Sequence, residues 1–267
     1  MSNALPILIV QAGRTHAHIR DRLGDFDDWV AARLRKGGAE VRVHDAQGDH
    51  APPPLHGLAG IVLTGSHAMV SDREPWSEAL VPWLRQAVAQ SVPTLGICYG
   101  HQLLAHALGG EVAHHPQGVE IGTVQVQRHA QAQDDPLLRH LPPTFNAQAV
   151  HWQTVRRLPP GAVALASNAH EPHHAFRVGA NAWGVQFHPE FSGESLRAYL
   201  EGLGPTLACE GRDAARISAA VKDTPEAASV LATFARLALP QQAAASPAQS
   251  TTQAFKTRSF WPHEPRA

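Results

Sequence analysis

Between Leu5 and Gly110, short apolar runs alternate with segments of helical period, a pattern that only a strand-helix-strand fold accommodates well. Leu5 to Val10 is continuously apolar and ends near Gly13, as expected of a strand buried on both faces. Asp25 is placed to cap a helix whose Phe26, Trp29, Val30 and Leu34 share one face and whose end is marked by Gly37-Gly38. Val41 to Val43 supplies a second strand. After the stiff Pro52-Pro53-Pro54 segment, Ala59 to Leu63 supplies a third that stops at Thr64-Gly65-Ser66. Leu80, Val81, Leu84 and Val88 give Trp76 to Ala89 a helical period, and Pro93 to Ile97 forms the fourth strand. The alternation predicts a parallel sheet with helices on both faces, whose ligands bind beyond the carboxyl ends of the strands. Gly65, Ser66 and Cys98 fall at that edge.

After Gly109-Gly110 the texture changes to short runs: Ile121 to Val126, Ala147 to His151, Ala162 to Ala166, His174 to Val178 and Ala182 to Phe187. These read as strands joined by turns and predict a smaller mixed or antiparallel sheet in the second half. Ser195 to Leu203 begins a helix, and Ala227, Val230, Leu231 and Phe234 mark a last one ending at Leu239. The length of 267 residues suits one large core, with residues 1–240 as a single domain. Residues 241–267 are mostly Ala, Gln, Ser, Thr and Pro at their start and read as a loose tail, although Phe255, Phe260 and Trp261 could dock on the body or on a partner.

Two stretches carry chemistry. Leu95-Gly96-Ile97-Cys98-Tyr99-Gly100-His101-Gln102 reads as a strand, a tight turn and a helix, which thrusts the Cys98 side chain out of the sheet edge beside the amides of the helix start. A lone cysteine is more often a buried structural thiol. The second stretch, Trp183-Gly184-Val185-Gln186-Phe187-His188-Pro189-Glu190, favours the nucleophile instead. Extended residues two apart share a face, so His188 and Glu190 project together, with Pro189 holding the chain extended. A histidine with a carboxylate on one ring nitrogen keeps the other free to take a proton.

The charge balance of 22 Lys and Arg against 23 Asp and Glu argues against nucleic acid or an acidic membrane face as partner. No apolar segment approaches the roughly 20 residues of a membrane span. The N-terminus shows no leader pattern, and only Cys98 and Cys209 are present, so the expected compartment is the cytoplasm. His114-His115 and His173-His174 lack the spacing of a metal site, and neighbours on a strand point to opposite faces. No metal or other cofactor is expected.

With both stretches in hand, the chain resembles the class I, triad-type glutamine amidotransferases, including the glutaminase domain of GMP synthase and its stand-alone relatives. The resemblance runs from about Ile7 to Tyr199. It implies a flavodoxin-like three-layer α/β sandwich with a central, mostly parallel sheet. It also implies that Cys98 is the nucleophile, His188 its base and later its acid, and Glu190 the residue that orients the histidine. The oxyanion donors would be the Tyr99 N–H and a backbone donor at Gly65 or Ser66. Here Thr64-Gly65-Ser66-His67 stands where family members carry a Ser-Gly-Gly-Pro type loop. Gln102 would line the substrate pocket. So would His151, although Val150-His151-Trp152-Gln153 keeps only the histidine of the family's Ser-His-Gly-Asp type segment.

The implied donor is L-glutamine or another γ-glutamyl compound, cleaved through a γ-glutamyl thioester. Three readings follow: a glutaminase releasing ammonia to a synthetase, a self-sufficient γ-glutamyl amide or peptide hydrolase, or a non-catalytic regulatory protein that keeps the fold. No phosphate-binding loop is present, so an ammonia-accepting synthetase would be a separate chain.

Overall fold

The computed structural model describes residues 5–48 and 51–239. The first half runs β1 (Ile7–Gln11), α1 (Ala17–Leu23), α2 (Phe26–Lys36), β2 (Val41–Asp45), β3 (Gly60–Leu63), α3 (Pro75–Ala89), β4 (Thr94–Ile97) and α4 (Tyr99–Ala107). The second half runs β5 (Glu111–His114), β6 (Glu120–Arg128), β7 (Thr144–His151), β8 (Gln153–Arg157), β9 (Val163–Ser167), β10 (Ala175–Val178) and β11 (Ala182–Val185). Three helices complete it: α5 (Gly193–Cys209), α6 (Ala214–Ala219) and α7 (Pro225–Ala238).

A nine-stranded sheet in the order β2-β1-β3-β4-β11-β10-β9-β6-β7 forms the centre. Its first five strands are mutually parallel, and the pairing becomes antiparallel from β11 to β10 onward. The period-2 alternation of a strand explains the layering. Ile7 and Ile9 of β1 pack with Val30 and Leu34 of α2 and with Leu231 and Phe234 of α7. Leu8 and Val10 face the other way, into a core with Leu80 and Leu84 of α3 and Leu103 of α4. The result is the three-layer α/β sandwich expected from the alternation.

The strands of the second half divide differently from expectation. β6, β7, β9 and β10 extend the main sheet, and the small antiparallel sheet is the β5–β8 pair. β11 offers β10 its free edge, so the antiparallel strands add to the existing ladder rather than opening a new one. Neither β5 nor β8 carries enough apolar alternation to announce itself, and the short helices α1 and α6 also lack a periodic face. α5 continues past Gly204-Pro205 to Cys209, because Pro205 is exposed while Leu207 beyond it is buried in the cluster with Phe191, Leu196 and Leu200. At α2 the expected cap is present: Asp25 accepts from the Phe26 N–H at 2.8 Å, and Asp28 accepts from the Asp25 N–H at 3.0 Å. The proposed tail, residues 241–267 with Phe255, Phe260 and Trp261, lies outside the described residues. Among the described residues no helix is long and apolar enough to cross a membrane.

The β4–α4 junction is close-packed. A methyl group on Gly100 would stand 2.6 Å from both Cβ and the carbonyl oxygen of Leu63 on β3, and one on Gly96 would run into the carbonyl of Gly100. Backbone atoms cannot yield as a flexible side chain would. Gly100→Ala is therefore expected to cost about 1–3 kcal/mol, read as a lowered urea midpoint with an unchanged slope.

Candidate active site

Cys98 follows β4 and occupies the N-cap position of α4. Its φ of 49° lies in the region that favours glycine, a conformation costing about 1–3 kcal/mol that the surrounding structure must enforce. Two backbone bonds do so: the Cys98 N–H donates to Val185 of β11 at 2.9 Å, and the Gln102 N–H donates to the Cys98 carbonyl at 3.1 Å. The thiol is buried and lies 3.5 Å from the Val150 carbonyl.

His188 and Glu190 arrive from the neighbouring strand, though not as sequence period suggests. β11 ends at Val185 rather than Phe187, and Pro189-Glu190 form a turn, not an extended segment. The Gln186 N–H still bonds the His174 carbonyl in the β10–β11 register, and beyond it the His188 N–H turns to the Gln148 carbonyl of β7. Across that turn His188 Nδ1 and Glu190 Oε1 lie 2.7 Å apart, both side chains buried. With Nδ1 so engaged, Nε2 is the nitrogen left for the hydrogen bond that His188 makes with Cys98. Burial disfavours the imidazolium, but the charges of Glu190 and of a Cys98 thiolate outweigh it and push His188 up to about 10. The structure thus brings Cys98, His188 and Glu190 together.

The loop after β3 is held against this group. Thr64 Oγ1 accepts from the Ala12 N–H and donates to the Gly65 carbonyl, both at 3.0 Å, and Ser66 Oγ accepts from the Ala68 N–H at 3.1 Å. A methyl group on Gly65 would lie 3.2 Å from His188 Cε1 and 3.9 Å from Cys98 Cβ. Tyr99 opens α4, where its N–H has no partner within the helix. Its hydroxyl donates to Ser77 at 2.6 Å, and burial raises that phenol to about 12.

Gln102 and His151 both line a cavity of about 350 Å³ that opens on Cys98 and His188, within the lower range of small-ligand sites. Their polar atoms are largely committed elsewhere. Gln102 Nε2 donates to the Gln153 carbonyl at 2.8 Å and to Gln186 Oε1 at 3.0 Å, which leaves only its carbonyl oxygen for a ligand. His151 Nδ1 lies 3.0 Å from the Gln153 carbonyl and Nε2 lies 2.9 Å from Glu120 Oε2, so neither ring nitrogen is free. Trp152 is tied to Glu210 at 2.9 Å, and the Gln153 side chain to Ser71 at 2.5 Å.

Beneath the cavity, Glu120 also accepts from Asn168 at 2.7 Å and lies 3.1 Å from His174 Nε2. Burial would raise this carboxylate, but its hydrogen bonds with His151 and His174 hold it well below the usual range. The remaining wall was not anticipated: His16, Phe26, His67, Phe191, Tyr199 and Leu203 also line the cavity. They come from four separate segments, and no local motif joins them.

Fold and site together describe an α/β enzyme of the amidohydrolase kind. Residues 18–201 match the family model described as glutamine amidotransferase class-I, and the chain belongs to that family. It is 41% identical over 141 residues to a glutamine-hydrolysing GMP synthase of Thermomicrobium roseum, covering 53% of this chain and 25% of that protein. Over 172 residues it is 34% identical to a glutamine-hydrolysing GMP synthase subunit of Ignicoccus hospitalis, covering 62% and 84%. It is also 30% identical over 169 residues to a gamma-glutamyl-L-1-hydroxyisopropylamide hydrolase of a Pseudomonas species, covering 59% and 56%. The chain spans about a quarter to a third of the full-length GMP synthases it matches. The solved structure of a glutamine amidotransferase from Thermotoga maritima shares the fold, with a TM-score of 0.67 at 21% identity over 87% of this chain and 96% of that one.

Two outcomes follow. Glu190→Gln removes the strongest favourable influence on the His188 imidazolium, so its pKa should fall toward 6.5, as read by NMR titration of the ring. Because the folded value is raised, the stabilisation from that charge is complete below about 6.5 and is lost as pH rises toward about 10. Wild-type stability should therefore decline across that window more than that of Glu190→Gln. Separately, Glu120→Gln breaks a buried charged network and should cost about 3–5 kcal/mol in chemical unfolding.

Proposed function

We propose that this protein breaks γ-glutamyl amide bonds through a thioester on Cys98, with glutamine as the donor in its first reading. The observation that carries the proposal is the buried Glu190–His188–Cys98 arrangement at a strained strand-to-helix turn. In this reading the Cys98 thiolate attacks the amide carbon. The oxyanion is held by the Tyr99 N–H and by a donor from Gly65 or Ser66, each worth about 10²–10³ in turnover. His188 as imidazolium protonates the departing nitrogen, then draws a proton from the water that opens the thioester, and Glu190 keeps its tautomer fixed throughout. Glutamate leaves, and the thiolate-imidazolium pair is restored.

Gln102 contributes its remaining carbonyl oxygen to the substrate, and His151 serves as a fixed wall supported by Glu120. Residues 1–240 act as one amidotransferase unit. The reaction needs no cofactor, and a reducing cytoplasmic setting suits a free nucleophilic thiol. Ammonia from glutamine would pass to a synthetase on a separate chain, as the similarity to the Ignicoccus GMP synthase subunit supports. A second reading, hydrolysis of a substituted γ-glutamyl amide, is favoured by the aromatic wall of the cavity and by the similarity to the Pseudomonas hydrolase.

The test measures ammonia release from glutamine and amine release from γ-glutamyl amides. Cys98→Ala should reduce either rate by about 10⁴-fold or more. A glutamine-analogue electrophile should label Cys98 and spare Cys209, as shown by peptide mass mapping. Equal rates in wild type and Cys98→Ala would sink the proposal.

A further inference from the structure

Resting on the thioester reading above, we infer that the preferred donor is a γ-glutamyl amide whose nitrogen carries an apolar group, so that an apolar amine leaves rather than ammonia. The tetrahedral centre on Cys98 fixes the direction of each substituent. In that reading the oxyanion points to the start of α4, and the leaving nitrogen points to His188, the histidine hydrogen-bonded to Cys98. Any group on that nitrogen must therefore run past the His188 ring.

What lies there is a recess of aromatic carbon. The Phe191 ring stacks on His188 with centroids 4.2 Å apart, Tyr199 sits 5.3 Å from Phe191, and His16 stacks on His67 at 4.5 Å. Leu203 closes the same cavity. Two of the polar groups of this wall are paired within it, while His16 Nε2 is buried without a hydrogen-bond partner among the described residues. Thr15 Oγ1 donates to the Tyr199 hydroxyl at 3.0 Å, and that hydroxyl lies 2.9 Å from His67 Nε2. Burial and the neighbouring His16 push His67 down to about 4, so its ring is neutral and accepts the Tyr199 proton. Burial lowers His16 as well. Among the described residues, no Lys, Arg, Asp or Glu lines the cavity. A leaving group of one nitrogen makes no use of such a recess, and a cationic amine would find no counter-charge in it. An alkyl or aryl substituent gains about fourfold in binding per buried methylene.

The chemistry balances without another reactant. Thiolate addition and loss of RNH₂, protonated on nitrogen by the His188 imidazolium, form the thioester. Water then yields glutamate and restores the thiolate and the imidazolium.

The deciding experiment ranks kcat/KM for glutamine, γ-glutamylethylamide, γ-glutamylisobutylamide, γ-glutamylbenzylamide and cationic γ-glutamylputrescine on the full chain. The isobutyl and benzyl amides should exceed glutamine by at least about tenfold, with the putrescine amide below both. Leu203→Asp should lower the benzylamide-to-glutamine ratio, a readout that simple loss of folded protein leaves unmoved. Where turnover is too slow to rank, calorimetric binding to Cys98→Ala ranks the same series. Glutamine equal to or better than the apolar amides, or the putrescine amide best, overturns this inference and leaves the thioester reading standing. No hydrolysis of any member by a protein whose Cys98 resists the electrophile overturns both.

Discussion

The backbone of Gly96 lies against the backbone of Gly100, and no side chain fits between them. That contact lets β4 pass into α4 within one residue, so Cys98 must take a φ of 49°. The strain is local and is held by the ladder on either side, where β3 and β11 flank β4 in parallel register. Parallel neighbours end at the same edge. The loop after β3 and the turn after β11 therefore converge on the thiol, one bringing Gly65 and the other His188. Had β11 run antiparallel to β4, its carboxyl end would lie at the opposite edge of the sheet.

A second constraint concerns where the polar atoms are used. Gln102, His151, Gln153 and Tyr199 all stand around the cavity, yet each is tied mainly to the protein. A buried donor left unpaired costs about 1–3 kcal/mol, which explains why these groups find partners within the fold. The consequence is a site rigid in its polar shell and apolar on its open wall. Glu120 belongs to the same logic, since it ties the end of β7, and so the cavity floor, to the region around His174.

Several elements were legible in the sequence because their signals are local. The β4–α4 turn is written in Gly96, Cys98 and Gly100, and the α2 start in Asp25. The proximity of His188 and Glu190 was legible too, although the reason differs: a turn at Pro189-Glu190, not the period of an extended strand, makes the 2.7 Å bond. β5 and β8 were illegible because β5 buries none of its residues fully and β8 buries Gln153 and Thr154 beside Val155, so the pair shows little apolar patterning. The membership of β6, β7, β9 and β10 in the main sheet was illegible for another reason. Alternation reveals that a strand has two faces, but not which edge it will join.

By itself the sequence determined the alternating α/β architecture, the turn that presents Cys98, and the pairing of a histidine with a carboxylate two residues on. These follow from short-range sterics and from periodicity, which a few neighbouring residues suffice to encode. Only the tertiary structure decided what surrounds the thiol. His16, Phe26, His67, Phe191 and Tyr199 come together because α1, α2 and α5 pack beside one strand edge, and the partners of Gln102 and His151 lie 84 and 31 residues away. Contacts at such separations depend on how whole elements pack, and no local pattern records them.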